Sequence, residues 1–195
     1  MPQGGALRDA ALRHLARFGT TRASLLRVLD RRIARWAREQ AVLGAPPDRI
    51  AADAARAREE ARGVADALVR DGVLDDAAFA ASRARSLHRS GRSRRAIGAH
   101  LAAKGVEADT VDALLEDDAD AELDAAVAFA RRRKVGPFAR AEAEGEQEGE
   151  QTDARHDPRI LAAFARAGFS RDVAERALGL TAEEAEERVL ALRRG

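Results

Sequence analysis

A chain of 195 residues with a net charge of +1, no cysteine and no tyrosine excludes several classes of protein at once. Disulfide frameworks, thiol chemistry and cysteine-held metals need residues that are missing, and no stretch approaches the ~18 apolar residues of a membrane span. With few β-branched residues and no alternating apolar and polar run, the expected fold is all-α.

The opening Met1-Pro2-Gln3-Gly4-Gly5 has no apolar signal core, so a cytoplasmic location without membrane contact is expected. A first amphipathic helix is predicted over about 7–17, with Leu7, Ala11, Leu12 and Leu15 on one face. Gly19 and Thr20 break it. A second helix from about 21 carries Leu25, Leu26, Leu29, Ile33 and Trp36, and ends at Gly44-Ala45-Pro46-Pro47, because prolines lack a backbone donor and disfavour a helical residue before them. A third helix spans about 48–71. Asp75 then caps a fourth that runs to about Ser90, and acids suit that position because a helix is positive at its start. Gly91 interrupts the chain before a helix over 92–103 that buries Ile97 and Leu101 and turns Arg92, Arg94 and Arg95 outward. A short helix over 107–116 is expected to bury Val111, Leu114 and Leu115, and a longer one over 118–134 to bury Leu123, Ala126, Val127 and Ala130.

Over about 141–154 every second residue from Glu142 to Glu150 is glutamate, with no apolar anchor, so a disordered acidic insertion is expected. The pattern resumes at Asp157-Pro158, a cap and first-turn pair, with helices to about 166 and over 170–178 and 181–193. Trp36, Phe79, Phe164 and Phe169 occupy packing positions, and Phe18, Phe129 and Phe138 fall beside helix ends or apolar stripes, so all seven are expected to serve the core.

One phrase recurs three times: a large apolar residue, three residues, a glycine and another apolar residue, at Leu68 to Val73, Leu101 to Val106 and Phe164 to Phe169. Glycine after a helix cap adopts a left-handed conformation without a Cβ clash, which ends the helix and turns the chain. A shift of 63 positions also maps Ile97 to Ile160, Asp109 to Asp172 and Leu115 to Leu178. This is an internal repeat of small helical units. We expect a first, divergent unit at 1–47, a central unit at 48–117 and a C-terminal unit at 118–195 that contains the insertion, together forming an elongated, curved array.

Charge is segregated along the chain. Between Arg83 and Lys104 lie seven basic residues and no acid; between Glu107 and Asp124 lie nine acids and no base. Either neighbouring helices pair these blocks internally, or the basic block is an exposed face for an acidic partner. Arg131-Arg132-Arg133-Lys134 closes a helix, where cations also complement the dipole. Catalytic chemistry is harder to find. His14, His88, His100 and His156 match no zinc spacing, and neither a nucleophile elbow nor a glycine-rich phosphate loop is present, so no enzyme, cofactor or metal is expected.

The stretch Asp71-Gly72-Val73-Leu74-Asp75-Asp76, then Phe79-Ala80, Arg83, Arg85, Arg89, Gly91, Ile97 with Leu101, and Lys104-Gly105-Val106 resembles the central part of the RecX family of recombination regulators. The flanks, with Ala11 to Ala16, Leu25 and Leu29 on one side and Ile160 to Leu178 on the other, are similar to its first and last repeats. Two features depart from the family pattern: Ile33-Ala34-Arg35-Trp36 replaces the first glycine turn, and the acidic insertion is additional. The resemblance implies tandem three-helix units in a curved rod that lies in the groove of the RecA filament on DNA. It also implies a modulator, usually an inhibitor, of RecA in homologous recombination, DNA repair and the SOS response. The expected partner is the RecA filament, with single- or double-stranded DNA as a further contact and the chain acting as a monomer. On charge alone, the candidate contact residues are Arg83, Arg85, Arg89, Arg92, Arg94, Arg95, Lys104, Arg131, Arg132, Arg133 and Lys134. The alternative is a helical protein that binds nucleic acid directly, without RecA.

Overall fold

In the computed structural model, which describes residues 1–2, 4–115, 118–139 and 154–194, regular structure consists of ten α-helices and one 3-10 turn, with no strand among the described residues. No helix among them is long and apolar enough to cross a membrane. The all-α expectation is met, and so are most helix boundaries to within a few residues. The expected acidic insertion at 141–154 lies, Ala154 apart, outside the described residues. Two compact units are formed: Met1–Ala80 with Ala102–Ala108, and Ala81–Leu101 with Asp109–Gly195.

The first unit is built on α1 (Gly4–Leu15), α2 (Arg22–Val42) and α3 (Pro47–Arg70). On α3 the buried face is Ala54, Ala57, Ala61, Ala65 and Leu68, small side chains at three- and four-residue spacing that let the leucines of neighbouring helices approach. Leu7 and Ala11 of α1 and Leu25, Leu29 and Ile33 of α2 fill that surface. Thus α3, grouped by sequence with the central helices, shares its core with α1 and α2. The reason is the alanine stripe, which is too shallow to bury itself without larger partners.

The start of α2 is secured from three directions. Thr21 accepts from the Ser24 amide at 3.1 Å and donates to the Lys104 carbonyl at 2.6 Å, so one buried hydroxyl caps two helix ends. Asp76 accepts from the Arg22 amide at 2.7 Å. Asp75 caps its own helix, α4 (Asp76–Arg89), through the Ala78 amide at 2.8 Å, so both carboxylates serve as structural caps, on different helices.

The second unit holds the outer part of α4, most of α5 (Arg94–Lys104), and α6 (Ala108–Leu114), α7 (Ala119–Arg133), α8 (Pro158–Ala167), α9 (Arg171–Leu178) and α10 (Ala182–Arg194). From Ala125 to Ala130 every residue of α7 is buried, so this helix is enclosed on all sides. Phe129, Phe164 and Phe169 meet around it with ring centroids 4.8–5.7 Å apart at tilted or edge-on angles, the arrangement their quadrupoles favour. Asp118, Asp157 and Ser170 cap their helices, and Thr181 with Glu184 forms a reciprocal capping box at 2.9 and 3.2 Å. Those hydrogen bonds from Thr181 hold the Glu184 carboxyl below its ordinary pKa.

Three apolar residues depart from expectation, the first being Leu12, which is exposed because the buried face of α1 is formed by Leu7 and Ala11. Leu114 is exposed, because α6 is only seven residues long and its inward face is supplied by Val111. Phe18 is also exposed, since α1 stops at Leu15 and the ring lies beyond the helix face that enters the core.

The three repeated glycines, Gly72, Gly105 and Gly168, all adopt positive φ, at 68°, 82° and 95°. Their surroundings differ, which makes a test of the two roles of glycine. A Cβ on Gly72 would meet nothing within 4 Å, whereas one on Gly168 would lie 2.5 Å from the Ser93 hydroxyl. Gly72→Ala is expected to cost only the left-handed strain, about 1–2 kcal/mol. Gly168→Ala should cost that and roughly 1–3 kcal/mol more from overpacking, read as the difference in urea midpoints.

Candidate functional site

Ten of the eleven basic residues singled out from sequence fall in the second unit; Lys104, at the last residue of α5, belongs to the first. Lys104 is half-buried, and its carbonyl rather than its charge is engaged, by Thr21.

What brings the others together is the turn between α4 and α5. Gly91 is buried there at φ 69°, and a Cβ in its place would lie 2.7 Å from the Phe129 amide and 3.0 Å from the Ala125 carbonyl. The turn therefore rests directly on the backbone of α7, which only glycine permits. Ser93, fully buried, locks the next residues: it caps α5 through the Ala96 amide at 3.2 Å and donates to the Ala167 carbonyl at 2.6 Å. Arg92 is held between these two fixed points.

Beside it, α7 ends in Arg131, Arg132 and Arg133. The guanidiniums of Arg132 and Arg133 lie 5.6 and 5.3 Å from the centroid of Phe129, within cation-π range. Arg132 also donates to the Gly91 carbonyl at 3.4 Å. Partial burial, then the charge of Arg92, then that of Arg133 push the Arg132 pKa down from its ordinary value. Arg132 and Arg133 thus share the Phe129 ring, and Arg132 reaches the turn that carries Arg92, so the charges of Arg92 and Arg133 add to the effect of burial on Arg132. Lys134 follows in left-handed conformation at φ 56°, exposed, as the cap of α7.

The expected pairing of the adjacent basic and acidic blocks is not carried by Asp120, Glu122 or Asp124. Asp124 and Asp120 of the acidic block take Arg188 of α10, at 2.5 and 3.5 Å, and the Asp124 hydrogen bond raises the Arg188 pKa. Glu122 accepts from the Arg94 amide at 2.8 Å and so caps α5. Arg131 is used structurally, 3.5 Å from Glu186, and Arg83 donates to His100 at 3.2 Å. Arg85, Arg89, Arg92 and Arg95 are exposed and form no ion pair among the described residues. The site thus sorts into a preformed cluster of Arg92, Arg132 and Arg133, flanking free arginines at 85, 89 and 95, and structurally engaged Arg83, Arg94 and Arg131.

Sequence reasoning identified these arginines by charge but missed Phe129 and Ser93. Arginines three and four residues after a phenylalanine within a helix, as Arg132 and Arg133 stand to Phe129, are a faint signal for cation-π contact. Ser93 left no signal, since the predicted helix over 92–103 includes it and only the structure starts α5 at Arg94.

The comparisons with known proteins agree with this helical architecture. A family model for the second three-helix domain of RecX matches residues 75–115. The Regulatory protein RecX of Myxococcus xanthus is 37% identical over an alignment that covers 88% of this chain and 83% of that protein. The Regulatory protein RecX of Agrobacterium fabrum is 39% identical over 59% of this chain and 56% of that protein, and that of Mycobacterium ulcerans 39% identical over 57% and 60%. These relatives are named as regulators. No solved structure matches the chain.

Because the cluster is mutually repulsive, removing one cation should not harm the fold. Arg92→Gln is expected to leave stability unchanged or raise it by up to about 0.5 kcal/mol in low salt, with the gain fading as salt screens the cluster. Thermal melts at two ionic strengths check this.

Proposed function

This chain belongs to the RecX family, and from that premise we propose that it regulates RecA filaments assembled on DNA, seated in the filament groove and inhibiting ATP hydrolysis, strand exchange or filament growth. The observation that carries this reading is the fixed Arg92, Arg132 and Arg133 cluster with free arginines at 85, 89 and 95 around it. Cations held together against their own repulsion gain most when an anionic surface arrives, because binding removes a strain already present in the free protein. A filament groove on DNA is lined by protein and phosphate, and contact with either requires no deep pocket.

Regulation of this kind needs no bond-making residue. The protein acts by occupancy: side chains that bridge successive subunits or strands oppose the rearrangements of hydrolysis and exchange. Arginine suits such contacts, since its planar fork gives two parallel hydrogen bonds to a carboxylate or phosphate. The rival reading, direct action on nucleic acid without RecA, depends on phosphate contacts alone. Binding to bare single strands through about seven phosphates would then give a log-log salt slope near −5.

The decisive measurement is DNA-dependent ATP hydrolysis by RecA with substoichiometric amounts of this protein. Inhibition is expected for the wild type. A charge-reversed variant, Arg92→Glu with Arg132→Glu, should weaken it at least tenfold while leaving helicity intact by circular dichroism. Unchanged hydrolysis and strand exchange at every ratio of wild-type protein would remove the proposal.

A further inference from the structure

Of the seven aromatic residues, six are buried or half-buried, and Phe18 alone is exposed, at 58% of its surface. It lies just beyond α1, its amide still bonded to the His14 carbonyl at 3.0 Å as one further turn. The imidazole of His14 stands 5.3 Å from the ring, tilted by 39°, and braces it from one side. Gly19, the next residue, rests against Phe79, so the chain turns inward at once and leaves the ring outside. Arg13 and Arg17, one helical turn apart, are both exposed and form no ion pair among the described residues.

An isolated aromatic face with unpaired cations on the same turns differs from a protein-docking patch, which centres on several apolar side chains within a polar rim. It has the composition of a platform for single-stranded nucleic acid, where a ring takes one base and cations take the flanking phosphates. A duplex keeps its base faces stacked, so it offers such a ring no free face unless the helix is kinked and a step unstacked. We propose that Phe18 stacks on an unpaired base of a single-stranded nucleic acid while Arg13 and Arg17 contact its backbone. The inference rests on the reading that this chain works on DNA and adds a direct contact, in the first unit, that the arginines of the second do not supply.

The test uses full-length protein, a labelled oligo(dT) strand and a duplex of equal length, followed by fluorescence anisotropy across a salt series. Phe18→Ala should lower affinity for oligo(dT) about 5- to 100-fold, the effect of losing one stacked base, with the salt slope unchanged. Phe18→Trp should bind at least as tightly as wild type. Phe18→Leu, apolar but without a π face, should behave like Phe18→Ala. Arg13→Gln with Arg17→Gln should instead reduce the slope by about 1.4. Affinity for the duplex should be unaffected by the three Phe18 substitutions.

No oligo(dT) binding by wild type, full affinity in Phe18→Ala, or wild-type affinity in Phe18→Leu would each overturn the proposal. So would loss of RecA inhibition in Phe18→Ala with oligo(dT) affinity intact, since the ring would then dock on protein. RecA inhibition by the wild type, measured in parallel, reports on the regulatory reading independently: it can persist when stacking fails and vanish when stacking holds.

Discussion

A hydrogen atom in place of a Cβ at Gly91 is the constraint on which the second unit turns. It allows a loop to lie on the backbone of α7 near Ala125 and Phe129, closer than side-chain packing permits. With that contact made, Ser93 reaches the Ala167 carbonyl and Arg92 stands beside the end of α7. Any larger residue at position 91 would push the turn outward, breaking both the buried hydroxyl link and the convergence of arginines. Packing and candidate function are therefore joined through one backbone contact.

The two units solve the same problem with different materials. In the first, α3 presents a stripe of alanines, so close approach of helices replaces bulk, and aliphatic side chains from α1 and α2 complete the core. In the second, three phenylalanines supply the volume, and α7 is enclosed by α8, α9 and α10. Both units rely on residues that serve two elements at once. Thr21 and Ser93 each cap a helix start and accept responsibility for a carbonyl at another helix's end, which satisfies exposed polar groups where short helices meet. Chains of short helices have many such ends, and a fold made of them depends on how the ends are closed as much as on its core.

Charge follows the same logic. The ion pairs among the described residues are at least partly exposed and worth little singly. Their effect lies in which cations they remove from the surface. Arg188 occupies Asp120 and Asp124, and Glu186 occupies Arg131, leaving the neighbouring arginines without acids. The polarity of the exposed surface is thus decided by which arginines are not paired, and that depends on α10 as much as on the basic block itself.

Helix positions, caps and turning glycines could be read from the chain because they are local: Asp75, Asp118, Asp157 and Ser170 act on amides two or three residues away, and Gly72, Gly105 and Gly168 answer to their own φ. The family was legible for the same reason, through motifs between Asp71 and Val106, most of which lie in the matched residues 75–115. Only tertiary structure decided the grouping of α3 with α1 and α2, the exposure of Leu12, Phe18 and Leu114, the cap that Asp76 supplies to α2, and the division of the arginines into paired and free. Those outcomes depend on residues tens of positions apart, and spacing along a chain carries no record of which distant face a helix will meet.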